Sequence, residues 1–562
     1  MFHVSIHDIS WERVNLKLEG LIEGGSYDKC IFFLKNRTND EVLHVKNYLV
    51  EGFMFRININ VTTLNDGERI SDGVWDLYAA SSDNNLIKVG LSKDLTQSNS
   101  DNFCSFFSKK FKTGRNRSYN VLTKYDLKSD NFQLDIKFVF PPPKKNQKTT
   151  LRKRITILRE QLYVLVFMFA KKYVKKNGKR VLFTSASRAE MGGNLGAVYN
   201  RMLERGLDND YKIYKVFKRN IWDRSKFLDK FKLPFYLGIS DTILIEDYHP
   251  LVNKLNYDND TEIIQLWHAN GAFKTFGYSR LGKPASPLID GMNHRIYTKA
   301  ITSSKHVIPY YAEAFAINES NVVATGIPKT DMFFNEEYIE ETKSKVLYAY
   351  PQIKKAKKVI LFGPTFRGGG PKTAYYPFEK IDFEALAEYC RKNDALFIFK
   401  MHFLVKNKLD IPERYSDVLI NATEYREIND LLFVADILIS DYSSTIYEYS
   451  LLNKPMLFFA FDLEDYIATR DFYEKFEDFV PGKIVKTFDE LLFSLETHNY
   501  EFEKVQMFRE KNFEFLNGGA SDRVIDWLIL KDYVGFEFSG EDLDQKNLVI
   551  QQGNYEDKGR VV

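Results

Sequence analysis

Cysteine is almost missing from this chain of 562 residues: Cys30, Cys104 and Cys390 are the only three. An odd and widely spaced set supports neither a disulfide framework nor a cysteine-built zinc site, and it fits a reducing cytosol. Long apolar runs are missing too. Leu162–Ala170 has nine residues, about 14 Å of helix, where a bilayer span needs about 20 residues. Met1–Asp8 carries no basic stretch ahead of an apolar one, so no signal peptide is expected. Charge of one sign is lacking as well. Lys and Arg number 79 against 76 Asp and Glu, a net +3, so the total charge points to no partner, and no nucleic acid partner is expected.

Several motifs are also absent. Without a Walker A sequence, ATP hydrolysis is not expected. Met191-Gly192-Gly193-Asn194 is too short for a Gly-x-Gly-x-x-Gly turn, which argues against NAD. No His-Glu-x-x-His occurs, and Asp258-Asn259-Asp260 precedes a strand, so it reads as a turn. Neither a metal nor a cofactor is expected.

What is present is a folded composition, 44% hydrophobic, 28% charged and 15% aromatic, with room for about three domains. Residues 1–140 alternate short β-like runs (Val14–Leu18, Cys30–Leu34, Phe53–Val61, Val74–Ala79) with turns, which suggests a β-sandwich. Pro141-Pro142-Pro143 marks a boundary. Residues 141–180 form a basic linker in which Lys144 to Arg180 holds thirteen Lys/Arg and one acid, Glu160. Its apolar centre is a core helix with basic ends, or an interfacial helix whose lysines, among them Lys171, Lys172, Lys175 and Lys176, attract anionic lipid.

From Val181 onward strands alternate with amphipathic stretches. Val181–Ser185, Tyr214–Phe217, Thr242–Ile245 and Ile263–Trp267 form one series. Val359–Phe362, Leu396–Lys400, Val418–Ile420, Ile437–Ile439 and Met456–Phe459 form another. Two such series predict two parallel, Rossmann-like α/β domains, 181–345 and 346–530, facing across a cleft with ligands at the carboxyl ends of the strands. Residues 531–562 read as a poorly ordered tail.

The strand exits carry a consistent chemistry. Trp267 leads into His268, placed for general-base work. Val359–Phe362 leads into Pro364, Thr365 and Arg367, a hydroxyl and a guanidinium suited to bidentate phosphate binding. Leu396–Phe399 leads into Lys400 and His402. Ile437–Ile439 leads into Asp441, Ser443 and Ser444, with Glu448 one turn into a helix, a strand–turn–helix arrangement that suits phosphate. Lys329 follows Val322–Gly326. Taken singly, each residue has a structural alternative, a cap or a satisfied core group. Together they predict transfer from a nucleotide-activated donor held by the second unit to an acceptor held by the first.

With these motifs the chain resembles the CDP-glycerol/CDP-ribitol polyol-phosphate transferases of wall teichoic acid synthesis, over about residues 180–530. The resemblance is carried by Gln265-Leu-Trp-His268, Gly326-Ile-Pro-Lys-Thr-Asp331, Pro364-Thr-Phe-Arg367, Lys400-Met-His402, Asp441-Tyr-Ser-Ser444, Asn453-Lys-Pro455, Phe459-Ala-Phe-Asp462 and Arg470-Asp-Phe-Tyr473. Trp267–Thr275 and Tyr278-Ser-Arg280 are similar to the ribitol-phosphate polymerase branch. The resemblance implies a GT-B fold and no cofactor. It implies a CDP-ribitol or CDP-glycerol donor, an undecaprenyl-diphosphate-linked teichoic acid acceptor, and peripheral attachment to the cytoplasmic side of the cell membrane. By that carry-over His268 and His402 are catalytic. Trp267, Lys329, Pro364, Thr365, Arg367, Lys400, Ser443, Ser444 and Glu448 bind substrate. The chain departs from the family pattern at Ala269-Asn270-Gly271, Phe403, Lys329 and Glu448. A non-catalytic glycan- or lipid-carrier-binding protein on the same scaffold is the reading from another class.

Overall fold

The computed structural model describes residues 3–24, 30–65, 67–80, 86–96, 103–112, 117–140, 151–219, 229–283, 286–370 and 372–533. The Pro141–Pro143 boundary, the basic residues of 144–150 and the tail from 534 onward lie outside the described residues. The fold is mixed α/β.

The N-terminal strands alternate apolar and polar residues. In Met54–Asn60, for example, Phe55, Ile57 and Ile59 are buried while Met54 and Arg56 face water. Eleven strands among the described residues are hydrogen-bonded together, nine along one path and two, Ile31–Asn36 and Val42–Val45, branching from Gly73–Ala80. His3–Glu12 pairs antiparallel with Asn15–Glu23 and parallel with Leu86–Leu91, which also pairs with Gly73–Ala80. Leu16, Leu18 and Ile57 share one core with Trp75, Tyr119 and Leu134. That core continues through Tyr278, Leu281 and Ile289 of the next domain, and Arg13 donates Nε and Nη2 to Glu313 at 2.7 and 3.2 Å.

The basic segment is longer and more regular than its apolar centre suggests. Leu151–Tyr173 is a single helix of 23 residues, about 35 Å, because its Lys, Arg, Leu and Met side chains are good helix formers. Phe167 and Ala170 are buried against the helix Asp229–Ile239. Gly238 permits that approach, since a Cβ there would meet Phe167 O at 2.7 Å and Ala170 Cβ at 2.8 Å. Leu158, Leu165, Met168 and Phe169 are instead exposed by 59% or more of their surface, a row of apolar groups in water. No helix among the described residues is long and apolar enough to cross a membrane.

Two six-stranded parallel sheets follow. The first runs in the order Lys212–Phe217, Arg180–Ser185, Thr242–Ile245, Glu262–Gln265, Lys299–Ile301, Val322–Val323. The second runs Leu419–Asn421, Ala395–Phe399, Lys358–Phe362, Ile437–Ser440, Met456–Phe459, Lys483–Val485. Helices cover both faces, so a strand such as Ala395–Phe399 is buried at every position. Lys299–Ile301 and Lys483–Val485 are too short to stand out in the sequence. The expected strand Ile263–Trp267 stops at Gln265, because Trp267 takes a φ of 49° and turns the chain.

The end of the second series crosses back. In the helical segments Ala520–Arg523 and Val524–Ile529, Val524, Ile525 and Leu528 pack with Val181, Phe183 and Leu195 of the first sheet. Arg201 pairs with Asp522 at 2.9 Å and Arg205 with Asp526 at 2.7 Å. The last residues of the expected second domain, 520–529, thus pack on the first sheet. The apolar face of the last helix covers the first sheet.

Candidate active site

Each sheet brings its predicted residues to one edge, the carboxyl ends of its strands. In the second sheet the exits holding Thr365 and Arg367, Lys400 and His402, and Ser443 and Ser444 follow three strands that are hydrogen-bonded neighbours. In the first sheet the strands leading to Ser187, Asp247 and His268 are likewise adjacent.

His268 is held from three directions. Its Nδ1 lies 2.9 Å from Asp247 Oδ1, and its carbonyl accepts from Lys329 Nζ at 3.0 Å. Its ring lies 4.3 Å from that of Trp267, which stacks in turn on Phe276 at 5.0 Å. The left-handed backbone at Trp267 makes this presentation possible. Gln265 Oε1 accepts from Trp267 N at 2.9 Å, and buried Asn194 donates to Trp267 O at 2.6 Å, so the strained residue is fixed from both sides. About half of the His268 side chain remains exposed. Asp247 also accepts from Ser187 Oγ. Burial would raise the Asp247 pKa, but hydrogen bonds from His268 and Ser187 outweigh it, and the carboxyl lies below its ordinary value. Asp247 was missed in the sequence. The signal available was the pair Glu246-Asp247 at the exit of Thr242–Ile245, two acids at the carboxyl end of a buried strand.

Lys329 and Glu448 are not open ligands. Lys329 Nζ donates to Glu448 Oε1 at 3.0 Å, an ion pair that joins the first domain to the helix Thr445–Leu451 of the second. Lys329 N also donates to Asn194 Oδ1 at 2.9 Å. The pair bridges the two walls, and Lys329 also anchors the His268 backbone.

Arg367 departs further from expectation. The sequence offers its fork to a phosphate, whereas the fork is bidentate to Asp462, Nε at 2.5 Å and Nη2 at 2.9 Å, while Nη1 donates to Asp441 at 2.7 Å. The side chain is 7% exposed and lies over the rings of Tyr442, Tyr466 and Phe461. Burial opposes its charge, but the two carboxylates outweigh burial and raise its pKa further. Asp441 also accepts from Thr365 N at 2.7 Å, so Pro364 and Thr365 are held in place by the same cluster. Asp462 is the residue that sequence reasoning gave no role, and its pairing with Arg367 is visible only in three dimensions.

The remaining predicted residues of the second sheet lie at its strand exits. Lys400 Nζ donates to Thr423 O at 2.9 Å, and burial lowers its pKa. His402 lies against Phe366 and Phe403, and burial together with Lys274 and Lys400 lowers its pKa, which favours the neutral ring. Ser443 Oγ lies 2.9 Å from Thr445 Oγ1, and Ser444 is exposed at the end of the turn. No group of three or more His, Cys, Asp or Glu that could hold a metal ion occurs among the described residues.

One loop closes the cleft. From His268 the chain crosses to the second domain, where Thr275 N donates to Asp471 O at 3.0 Å and Tyr473 N donates to Phe273 O at 3.1 Å. Phe273 packs on Phe472 and Phe479. Gly271 fits against Tyr447, whose ring would lie 2.2 Å from any Cβ at that position.

A histidine–aspartate pair on one wall and a cation-bearing wall opposite, both at the carboxyl ends of parallel sheets, define a group-transfer enzyme with an anionic substrate. The chain belongs to the CDP-Glycerol:Poly(glycerophosphate) glycerophosphotransferase family, whose model matches residues 165–530, and it is a CDP-polyol phosphotransferase. It is 42% identical over 555 residues to the teichoic acid ribitol-phosphate polymerase TarL of Staphylococcus aureus (strain NCTC 8325 / PS 47), covering 93% of this chain and 98% of that protein. The teichoic acid ribitol-phosphate polymerase TarK of the same strain is 53% identical over 367 residues, 65% of this chain and 71% of that one. The solved structure of the wall teichoic acid polymerase TagF shares the fold, with a TM-score of 0.55 at 22% identity over 68% of this chain and 97% of that chain.

Proposed function

We propose that this protein is a teichoic acid ribitol-phosphate polymerase. The observation that carries the reading is the likeness to TarL, which extends over 93% of the chain, together with the His268–Asp247 pair at the cleft. In the proposed reaction the terminal hydroxyl of the acceptor attacks the β-phosphorus of CDP-ribitol. A new phosphorus–oxygen bond forms, the bond from that phosphorus to the bridging oxygen breaks, and CMP leaves. With Nδ1 directed at Asp247, Nε2 of His268 carries the free lone pair and takes the hydroxyl proton. His402, Lys400 and the hydroxyls of Ser443 and Ser444 serve the donor, stabilising the charge on the phosphoryl oxygens and on departing CMP. Trp267 positions the base. Lys329, Glu448 and Arg367 act through the groups they hold, and Pro364 and Thr365 frame the pocket.

The proposed architecture is GT-B, with the donor in the second parallel domain and a lipid-linked poly(polyol phosphate) acceptor against the first. The proposed location is the cytoplasmic side of the cell membrane. Support comes from the exposed apolar row Leu158, Leu165, Met168 and Phe169 beside Lys172. Lys171 and Lys176 are tied to Asp258 and Asp260, each at 2.7 Å, and contribute less to such a surface than the sequence suggests.

The test is an assay of purified protein with CDP-ribitol and CDP-glycerol in parallel on a lipid-linked glycerophosphate primer, reading CMP release and incorporation. Incorporation from CDP-ribitol is expected. Incorporation from CDP-glycerol alone would replace the ribitol reading, and no CMP from either donor would favour a binding protein.

A further inference from the structure

We infer that Lys274, carried by the first domain, is a ligand for the diphosphate of the donor bound in the second. The inference rests on the reading that the protein uses a nucleoside-diphosphate-linked donor.

The position of Lys274 is set by backbone, not by its own side chain. It lies in the loop that crosses the cleft, forms an isolated antiparallel bridge with Phe472, and is followed by Thr275, whose N–H donates to Asp471 O. Its ammonium is therefore placed inside the other domain's pocket, 5.4 Å from the centre of the Tyr466 ring. The Arg367 guanidinium lies 5.6 Å from the same ring.

The charges around it leave it unmatched. Asp441 faces it, but that carboxylate is already bound by Arg367 at 2.7 Å, and Asp462 is likewise taken up by Arg367, which it binds bidentately. The other charged groups that act on Lys274 are the cations Arg367 and Arg470; Tyr466 lies beside it, and Lys274 with Lys400 acts on His402. Lys274 makes no ion pair among the described residues. Burial, with Arg470 and Arg367 adding to it, pushes its pKa from 10.5 down to about 8. Asp441 is therefore shared between Lys274 and Arg367, while Lys400 has Glu424 and Glu427 of its own. A negatively charged phosphate of the donor supplies the countercharge that Lys274 lacks, and a neutral sugar or a polyol does not.

The arrangement has a consequence for the cleft. A diphosphate held by Lys274 is gripped from both domains, so donor binding and docking of the loop that begins at His268 support one another. A bound diphosphate also returns the ammonium to its charged form, so binding above about pH 8 takes up a proton.

The experiment is calorimetric titration of the full-length protein with CDP, and separately with CMP, at pH 7 and pH 8.5 in buffers of different ionisation enthalpy. Wild type is expected to bind CDP with proton uptake at pH 8.5, and its affinity should fall as the pH rises above 8. Lys274→Met should weaken CDP binding roughly 10- to 100-fold, abolish the uptake and leave CMP binding much less changed. Lys274→Arg should restore affinity. A thermal melt checks that each variant is folded; should Lys274→Met fail to fold, the wild-type proton uptake and pH dependence decide alone. A folded Lys274→Met protein with wild-type CDP affinity, or wild type binding CDP without proton uptake, overturns the inference and leaves the donor reading standing. Wild type that binds neither nucleotide overturns both.

Discussion

Asp247 Oδ1 lies 2.9 Å from His268 Nδ1, although the two residues leave different strands and are separated in the chain by a turn and a further strand. The contact makes Nδ1 the donor to Asp247 and leaves Nε2 as the acceptor nitrogen of the ring. Replacing His268 with Ala should lower turnover by about 10²–10⁴. Asp247→Asn should lower kcat by roughly tenfold or more with little change in the donor KM, because it acts through the histidine. The double variant should be no slower than His268→Ala alone. Additive losses would assign Asp247 a role of its own.

Arg367 is expected to behave as a structural clamp first. Removing it leaves Asp441, which has no exposed surface, without its cation, a loss of about 3–5 kcal/mol. Denaturant melts of Arg367→Met should show that loss, and Arg367→Met/Asp441→Asn should recover part of it. A single variant that melts like wild type yet binds CDP poorly would return Arg367 to direct phosphate contact.

The Lys329–Glu448 pair spans the two walls at 3.0 Å with both side chains mostly buried. A double-mutant cycle with Lys329→Met and Glu448→Gln should give a coupling of roughly 0.5–3 kcal/mol. Zero coupling would mean that each residue acts separately on substrate.

Gly271 is where the crossing loop passes Tyr447. Gly271→Ala should cost about 1–3 kcal/mol through overpacking and should slow CMP release, since the loop carries both His268 and Lys274. Combining it with Tyr447→Leu should relieve the clash. Failure of that pair to regain stability would place the strain elsewhere.

The apolar row on Leu151–Tyr173 offers a separate test. Leu165→Asp and Phe169→Asp remove exposed side chains and leave buried Phe167 and Ala170 in place. Each should lower binding to anionic vesicles by about tenfold or more. CMP release on a short water-soluble acceptor should be unchanged. Pelleting equal to wild type would remove this helix as the membrane contact.

Local sequence determined the β-rich opening, the two parallel series and the chemistry of the strand exits. Apolar runs of four or five residues, punctuated by Gly, Pro, Ser and Asp, specify buried strands and the turns that end them without reference to distant parts of the chain. Tertiary structure alone decided how the groups at those turns are used. Whether Asp247 meets His268 depends on the strand order within the first sheet, which places Thr242–Ile245 beside Glu262–Gln265. Whether Arg367 faces a phosphate or two aspartates depends on Asp441 and Asp462 arriving from neighbouring strands. The return of Val524–Ile529 to the first sheet, and the passage of Lys274 into the second domain, are contacts between surfaces far apart in sequence. Such contacts form because an uncovered apolar face or an unmatched charge finds its partner in space, and neither the composition nor the periodicity of a segment records which partner that is.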